Sequence, residues 1–84
     1  NHVTVYPNPF TNNFAIHIQS GNTSEVNIEF KDVHGQELDS KKLYLKPGEN
    51  VVEWNVKNHL PGGVYFITVR GLDKTYTLKV LHIK

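Results

Sequence analysis

The chain has 84 residues, a net charge of +1 and no cysteine, so it is one small domain with a thin core, no disulfide staple and no thiol chemistry. Its 38% apolar and 20% charged content is that of a globular domain rather than a disordered tail. No apolar run approaches the roughly 20 residues a membrane helix needs, and the basic residues are scattered apart from Lys41-Lys42, so neither membrane insertion nor nucleic-acid binding is expected.

The chain begins at Asn1 without a Met or a basic-then-apolar leader and reads as a piece of a longer precursor. Val3-Thr4-Val5-Tyr6 runs into Pro7-Asn8-Pro9-Phe10, where each proline holds its predecessor extended and removes a backbone donor; this predicts a stiff corner rather than a central strand. Asn13 to Ile18 alternates, with Phe14, Ile16 and Ile18 on one face, and Val26 to Phe30 repeats the pattern. Both are half-buried strands. Val33-His34-Gly35-Gln36 follows, and Gly35 supplies the positive φ of a tight hairpin. The next strand, Leu38 to Leu45, is polar in its middle, which leaves its register open between a bulge and an edge strand.

Lys46 to Asn50 forms a turn on Pro47 and Gly48. Beyond it Val52, Trp54 and Val56 oppose Val51, Glu53, Asn55 and Lys57, which makes Trp54 the expected centre of the core. Truncating it to Ala should cost about 3–5 kcal/mol. Leu60 to Lys84 supplies a turn, a strand, a short loop and a last strand. Centring that loop on Leu72-Asp73 pairs Val69 with Tyr76, Ile67 with Leu78 and Tyr65 with Val80 on a core face. Arg70 with Thr75, Thr68 with Thr77, Phe66 with Lys79, and Val64 with Leu81 then face outward, with Ile83 beyond. Either these outer apolar residues cover one another, or they form a docking patch.

About seven short strands with turn residues between them, and no helical period, predict an all-β fold: a small immunoglobulin-like sandwich with Greek-key connections. The chemistry search is negative. His2, His17, His34, His59 and His82 show no metal-ligand spacing. Ser20, Ser24 and Ser40 lack a nucleophile elbow, and the acidic residues form no evident catalytic pair. Gly62-Gly63 precedes a strand and is a turn, not a phosphate cradle. Asn22-Thr23-Ser24 matches a glycosylation triplet that arises often by chance. No enzyme activity, metal or cofactor is expected.

Two separated motifs, Tyr6-Pro7-Asn8-Pro9-Phe10 and Leu60-Pro61-Gly62-Gly63-Val64-Tyr65, together with the terminal Lys79-Val80-Leu81 strand, resemble the type A C-terminal sorting domain of the type IX (Por) secretion system. Phe30 to Gln36 resembles that family's strand-then-glycine hairpin, and the motifs occur in the family's order over nearly the whole chain. His82 in the terminal run and the polar stretch Asp39 to Lys42 depart from the pattern.

The resemblance implies a single domain, residues 1–84, at the C-terminus of a secreted cargo. It would be carried through the periplasm and across the outer membrane of a Bacteroidetes cell, read by a translocon or shuttle, and commonly removed by a sortase. Matched residue by residue, Pro7, Asn8, Pro9, Gly35, Leu60, Gly63 and Tyr65 carry the turn motifs, and Lys79, Val80, Leu81 and Lys84 the terminal strand. Phe66, Lys79, Val80, Leu81, Ile83 and Lys84 are the recognition candidates. Apolar contacts would supply affinity, with Lys79 and the terminal carboxylate setting orientation. Strand addition along an exposed hairpin edge is a second mode, and pairing of edge strands predicts that the domain can dimerise. The alternative class is an immunoglobulin- or fibronectin-like spacer or a carbohydrate-binding module; sugar binding would need several of Tyr6, Phe10, Tyr44 and Phe66 aligned on one surface.

Overall fold

The computed structural model describes residues 1–56 and 59–84; Lys57, assigned above to the outer side of its strand, lies outside the described residues. Seven strands follow in chain order: β1 His2–Tyr6, β2 Asn13–Ser20, β3 Ser24–Lys31, β4 Glu37–Leu45, β5 Gly48–Asn55, β6 Gly63–Arg70 and β7 Tyr76–His82. They form two antiparallel sheets, ordered β1-β2-β5 and β4-β3-β6-β7. Three connections cross between the sheets, from β2 to β3, β4 to β5 and β5 to β6, which gives the Greek-key sandwich expected from the pattern. Relative to a constant-type immunoglobulin domain, the fourth strand pairs with the third rather than the fifth.

Alternation decides what each sheet buries. Phe14, Ile16 and Ile18 of β2, Val26, Ile28 and Phe30 of β3, Trp54 of β5, and Tyr65, Ile67, Val69 and Val80 of the last hairpin form the core, with Phe10 and Leu45 closing it. Trp54 lies at its aromatic centre, stacked on Phe14 at 6.3 Å and tilted against Phe30 at 6.4 Å between ring centroids. The hairpin register is the expected one, from Val69 opposite Tyr76 through Ile67 opposite Leu78 to Val64 opposite Leu81. A one-residue slip would turn every core side chain outward, and the short loop disfavours the two-residue slip that would keep the same face inside.

Three elements differ from expectation in extent. β5 begins at Gly48, inside the expected turn, because the Asn50 amide bonds the Lys46 and Gly48 carbonyls at 2.9 and 3.2 Å and closes the β4–β5 connection on itself. The front segment is a strand, β1, and it lies at a sheet edge, where prolines at its end break no central ladder. β4 is both of the things left open: an edge strand, and one whose pairing with β3 shifts register at Phe30/Lys31.

Candidate functional site

The motif segments, far apart in sequence, meet at one end of the sandwich. β1 finishes there, β3 turns into β4 there, β5 returns into β6 there, and the chain after β7 leaves there. Asn1 sits at the other end, where its side chain bonds the Gly21 amide and Asp73 and its carbonyl accepts from the Tyr76 hydroxyl. An eight-residue strand separates the two ends by roughly 25 Å.

The first motif grips the last strand. The Asn8 side chain donates to the Lys79 carbonyl and accepts from the Leu81 amide, both at 3.0 Å. Phe10 then bonds β7 as a short parallel extension, its amide donating to Leu81 O at 2.9 Å and its carbonyl accepting from Ile83 N at 2.8 Å. The Phe10 ring fills the end of the core against Phe14 and His82, at centroid distances of 4.8 and 4.9 Å. Both Tyr6-Pro7 and Asn8-Pro9 are cis peptides.

The second motif is a tyrosine corner, the device by which Greek-key sandwiches fix a crossing connection. Tyr65, buried near the start of β6, donates its hydroxyl to the Pro61 carbonyl at 2.6 Å. Burial pushes its phenol above the ordinary range, and the Asp32 carboxylate adds to the shift. Gly35 takes φ 83° in a turn held by Asp32, whose carboxylate accepts the His34 and Gln36 amides at 2.9 Å each. Leu60 is half-buried against the core.

His82 is no interruption of the terminal strand. It points inward with 8% of its surface exposed, and its ring nitrogens face the Thr11 and Pro61 carbonyls at 2.9 and 3.2 Å. The imidazole therefore stands between the carbonyl just after the first motif and one within the second, and in its neutral form its single N–H can donate to either. Its even-numbered place, in step with Val80, was the signal for this inward direction.

The recognition candidates divide. Val80 is fully buried, which corrects its place among surface contacts: it shares the core face with Tyr65, and a partner cannot touch its side chain. Lys79, Leu81, Ile83 and Lys84 are exposed, while Phe66 and Val64 are half-buried on the same outer face. In register, Phe66 stands between Lys31 of β3 and Lys79 of β7. Thr68, also on this face, is buried to 5% because β3 and β7 flank it on both sides. Glu29 beside it bonds Lys31 at 3.1 Å and Arg70 at 3.3 Å. The Lys31 ammonium holds its carboxyl below the usual range, Arg70 acts in the same direction, and partial burial opposes them.

Strand addition at β7 is closed over Lys79 to Ile83, since Asn8 and Phe10 already occupy those backbone groups. Lys41 guards the β5 edge, donating to the Glu53 carbonyl at 2.9 Å with its ammonium 4.8 Å from the Trp54 ring centroid. The four aromatics weighed for sugar binding do not align: Phe10 is core, Tyr6 lies on the other sheet, and Tyr44 and Phe66 lie opposite Glu25 and Lys31 at the two ends of β3. Among the described residues no three His, Cys, Asp or Glu side chains stand where they would hold a metal ion.

The family model of the secretion system C-terminal sorting domain matches residues 4–84. The chain belongs to that family. It is a type IX secretion sorting signal, for a protein exported across the outer membrane. No curated protein matches it in sequence. Among solved structures it is similar to PorZ, described as an essential bacterial surface component of the type-IX secretion system of human oral-microbiomic Porphyromonas gingivalis, with a TM-score of 0.72 and 24% identity. That match covers 98% of this chain and 11% of the other, and what the two share is the fold.

Proposed function

We propose that an outer-membrane translocon or shuttle of the type IX system reads this sorting domain at the end of the sandwich away from Asn1. The contacts would come from Phe66, Lys79, Leu81, Ile83 and Lys84 on and beyond the β6–β7 outer face. Cargo would precede Asn1, pass through the periplasm with the domain, and be parted from it by a sortase. The domain would act as the substrate of that sortase and carry no catalytic site or cofactor of its own.

The observation that carries this reading is the convergence of the motif segments at one end, with the first motif clamped onto the last strand. A recognition surface built this way exists only when the domain has folded. With Asn1 held at the opposite end, cargo attached there would join the domain away from that surface.

Deleting the residues after Lys79 is a poor test, because it removes the buried Val80, the buried His82 and the Phe10 pairing together. The better variant is Lys79→Glu with Leu81→Ser and Ile83→Ser, all at exposed positions. The chain is fused behind a periplasmic reporter in a type IX-competent bacterium, and surface display is measured on intact cells. With the melting temperature of the isolated domain within a few degrees of wild type, display should fall at least about tenfold, the equivalent of ~1.4 kcal/mol of lost binding. Unchanged display refutes the reading.

A further inference from the structure

The sheet edges are not equally open to another strand. On one flank of the sandwich β1 lies beside β7, and Asn8 and Phe10 occupy the backbone groups of β7 from Lys79 to Ile83. On the other flank β4 and β5 end their sheets side by side, and the Lys41 ammonium of β4 reaches across to the Glu53 carbonyl of β5 at 2.9 Å. Bonded pairs alternate along an antiparallel ladder. The Val56 amide bonds the Asn12 carbonyl, which puts Glu53 among the residues facing away from β2. The Phe10 bond to Leu81, carried in register through β6 and β3, puts Ser40 and Lys42 among those facing away from β3. The Ser40 amide, in the middle of that free edge, donates to the Asp39 carboxylate at 2.8 Å.

Asp39 and Lys41 stand where the alternation of β4 would place apolar side chains. They share its inward face with the half-buried Leu43 and the buried Leu45. Asp39 lines a cavity of about 170 Å³ with Phe30, Trp54 and Leu60, and the Lys41 ammonium lies 4.8 Å from the Trp54 ring centroid. Among the described residues neither makes an ion pair. An apolar pair at these positions would bury more surface against Trp54 than two charges do. Inward-pointing charge is, however, a means by which an edge strand resists pairing. A strand added to β4 would have to free the Ser40 amide from Asp39, and one added to β5 would have to dislodge Lys41 from Glu53. β4 has need of such protection: it is nine residues long, with Leu38 and Tyr44 exposed on it.

We infer that Asp39 and Lys41 keep the β4–β5 flank from pairing with a second copy of this chain, and that the polar centre of β4, a departure from the family pattern, serves this end. The role is independent of which surface a translocon reads.

The test compares the 84-residue wild-type chain with Asp39→Val/Lys41→Val by sedimentation velocity from about 10 μM to about 1 mM, a range that brackets weak pairing. Wild type should stay monomeric throughout. The double variant should associate with a dissociation constant below about 1 mM, melt no lower than wild type, and protect the Ser40 and Lys42 amides from hydrogen exchange as it associates. Lys41→Arg, which keeps the cation, should remain monomeric.

A folded double variant that stays monomeric overturns the inference, as does association that protects other strands in place of Ser40 and Lys42. So does a wild type that pairs through β4, which would set Asp39 opposite the second copy's Lys41. If the Val variant melts well below wild type, Asp39→Thr/Lys41→Thr replaces it, with polar side chains that suit a strand. That variant should associate through the same two amides, and a folded Thr variant that remains monomeric refutes the guarding role.

Discussion

Replacing Asn8 with Ala removes the cap on the β7 edge and nothing from the core. The side chain makes two bonds, one given to Lys79 O and one taken from Leu81 N, each 3.0 Å long and in an exposed setting. A net worth of about 0.5–1.5 kcal/mol per bond gives ~1–3 kcal/mol. Water can reach the freed groups, which places the loss in the lower half, about 1–2 kcal/mol. A domain of this length has roughly 4–13 kcal/mol in total, so the loss is a sizeable fraction.

Urea unfolding followed by Trp54 fluorescence should show the midpoint falling by about 1–2 M at constant slope, with the melting temperature down by about 4–15 °C. Hydrogen exchange at the Leu81 amide should accelerate more than at Ile67, since the opening is local. Asn8→Asp should do no better than Ala, because it keeps the acceptor for Leu81 and sets a carboxylate against the Lys79 carbonyl. The freed edge should also make the Ala variant self-associate with rising concentration. A variant with wild-type midpoint and wild-type Leu81 exchange would refute the view that the first motif holds the last strand.

Tyr65→Phe keeps the ring in its place 5.3 Å from Phe30 and removes one bond from the Pro61 carbonyl, which keeps the His82 ring nitrogen at 3.2 Å; it should cost about 0.5–1.5 kcal/mol in chemical denaturation. Glu29 gives the pH dependence. Its folded-state value lies below the ordinary 4.5, so its contribution is complete above that pH and is lost as pH falls toward the folded value, the unfolded chain taking the proton first. Glu29→Gln should therefore flatten the acid limb of a melting temperature–pH profile below about pH 4.5, and an unaltered limb would show that the Lys31 and Arg70 pairing does not contribute.

What could be read from the sequence follows from where the determining forces act. The β6–β7 register was legible because a short loop and alternating apolar residues fix it locally, and Trp54 was legible as the core centre because its strand alternates cleanly. β4 was not, since Leu38 to Leu45 has no clean apolar face and its pairing with β3 is broken by a register shift at Phe30/Lys31. The bond from Asn8 to β7 spans more than seventy positions and leaves no periodic trace. His82 is intermediate: its parity with Val80 put it inside, but only the folded corner supplies a carbonyl acceptor for the N–H of a buried imidazole.

The motif residues that make this family recognisable are mostly explained by folding alone. Asn8 caps an edge, Gly35 takes a left-handed turn, and Tyr65 ties a corner. A partner that sampled only these would read the presence of the fold and could not tell it from other sandwiches with the same corner. On the recognition proposed above, information specific to secretion would reside where folding makes no demand. Lys79, Leu81, Ile83 and Val33 meet that condition, being exposed next to the motif residues and dispensable to the core. Substitutions that leave stability intact and abolish display should therefore fall on these positions, while those that abolish both should fall on the motifs.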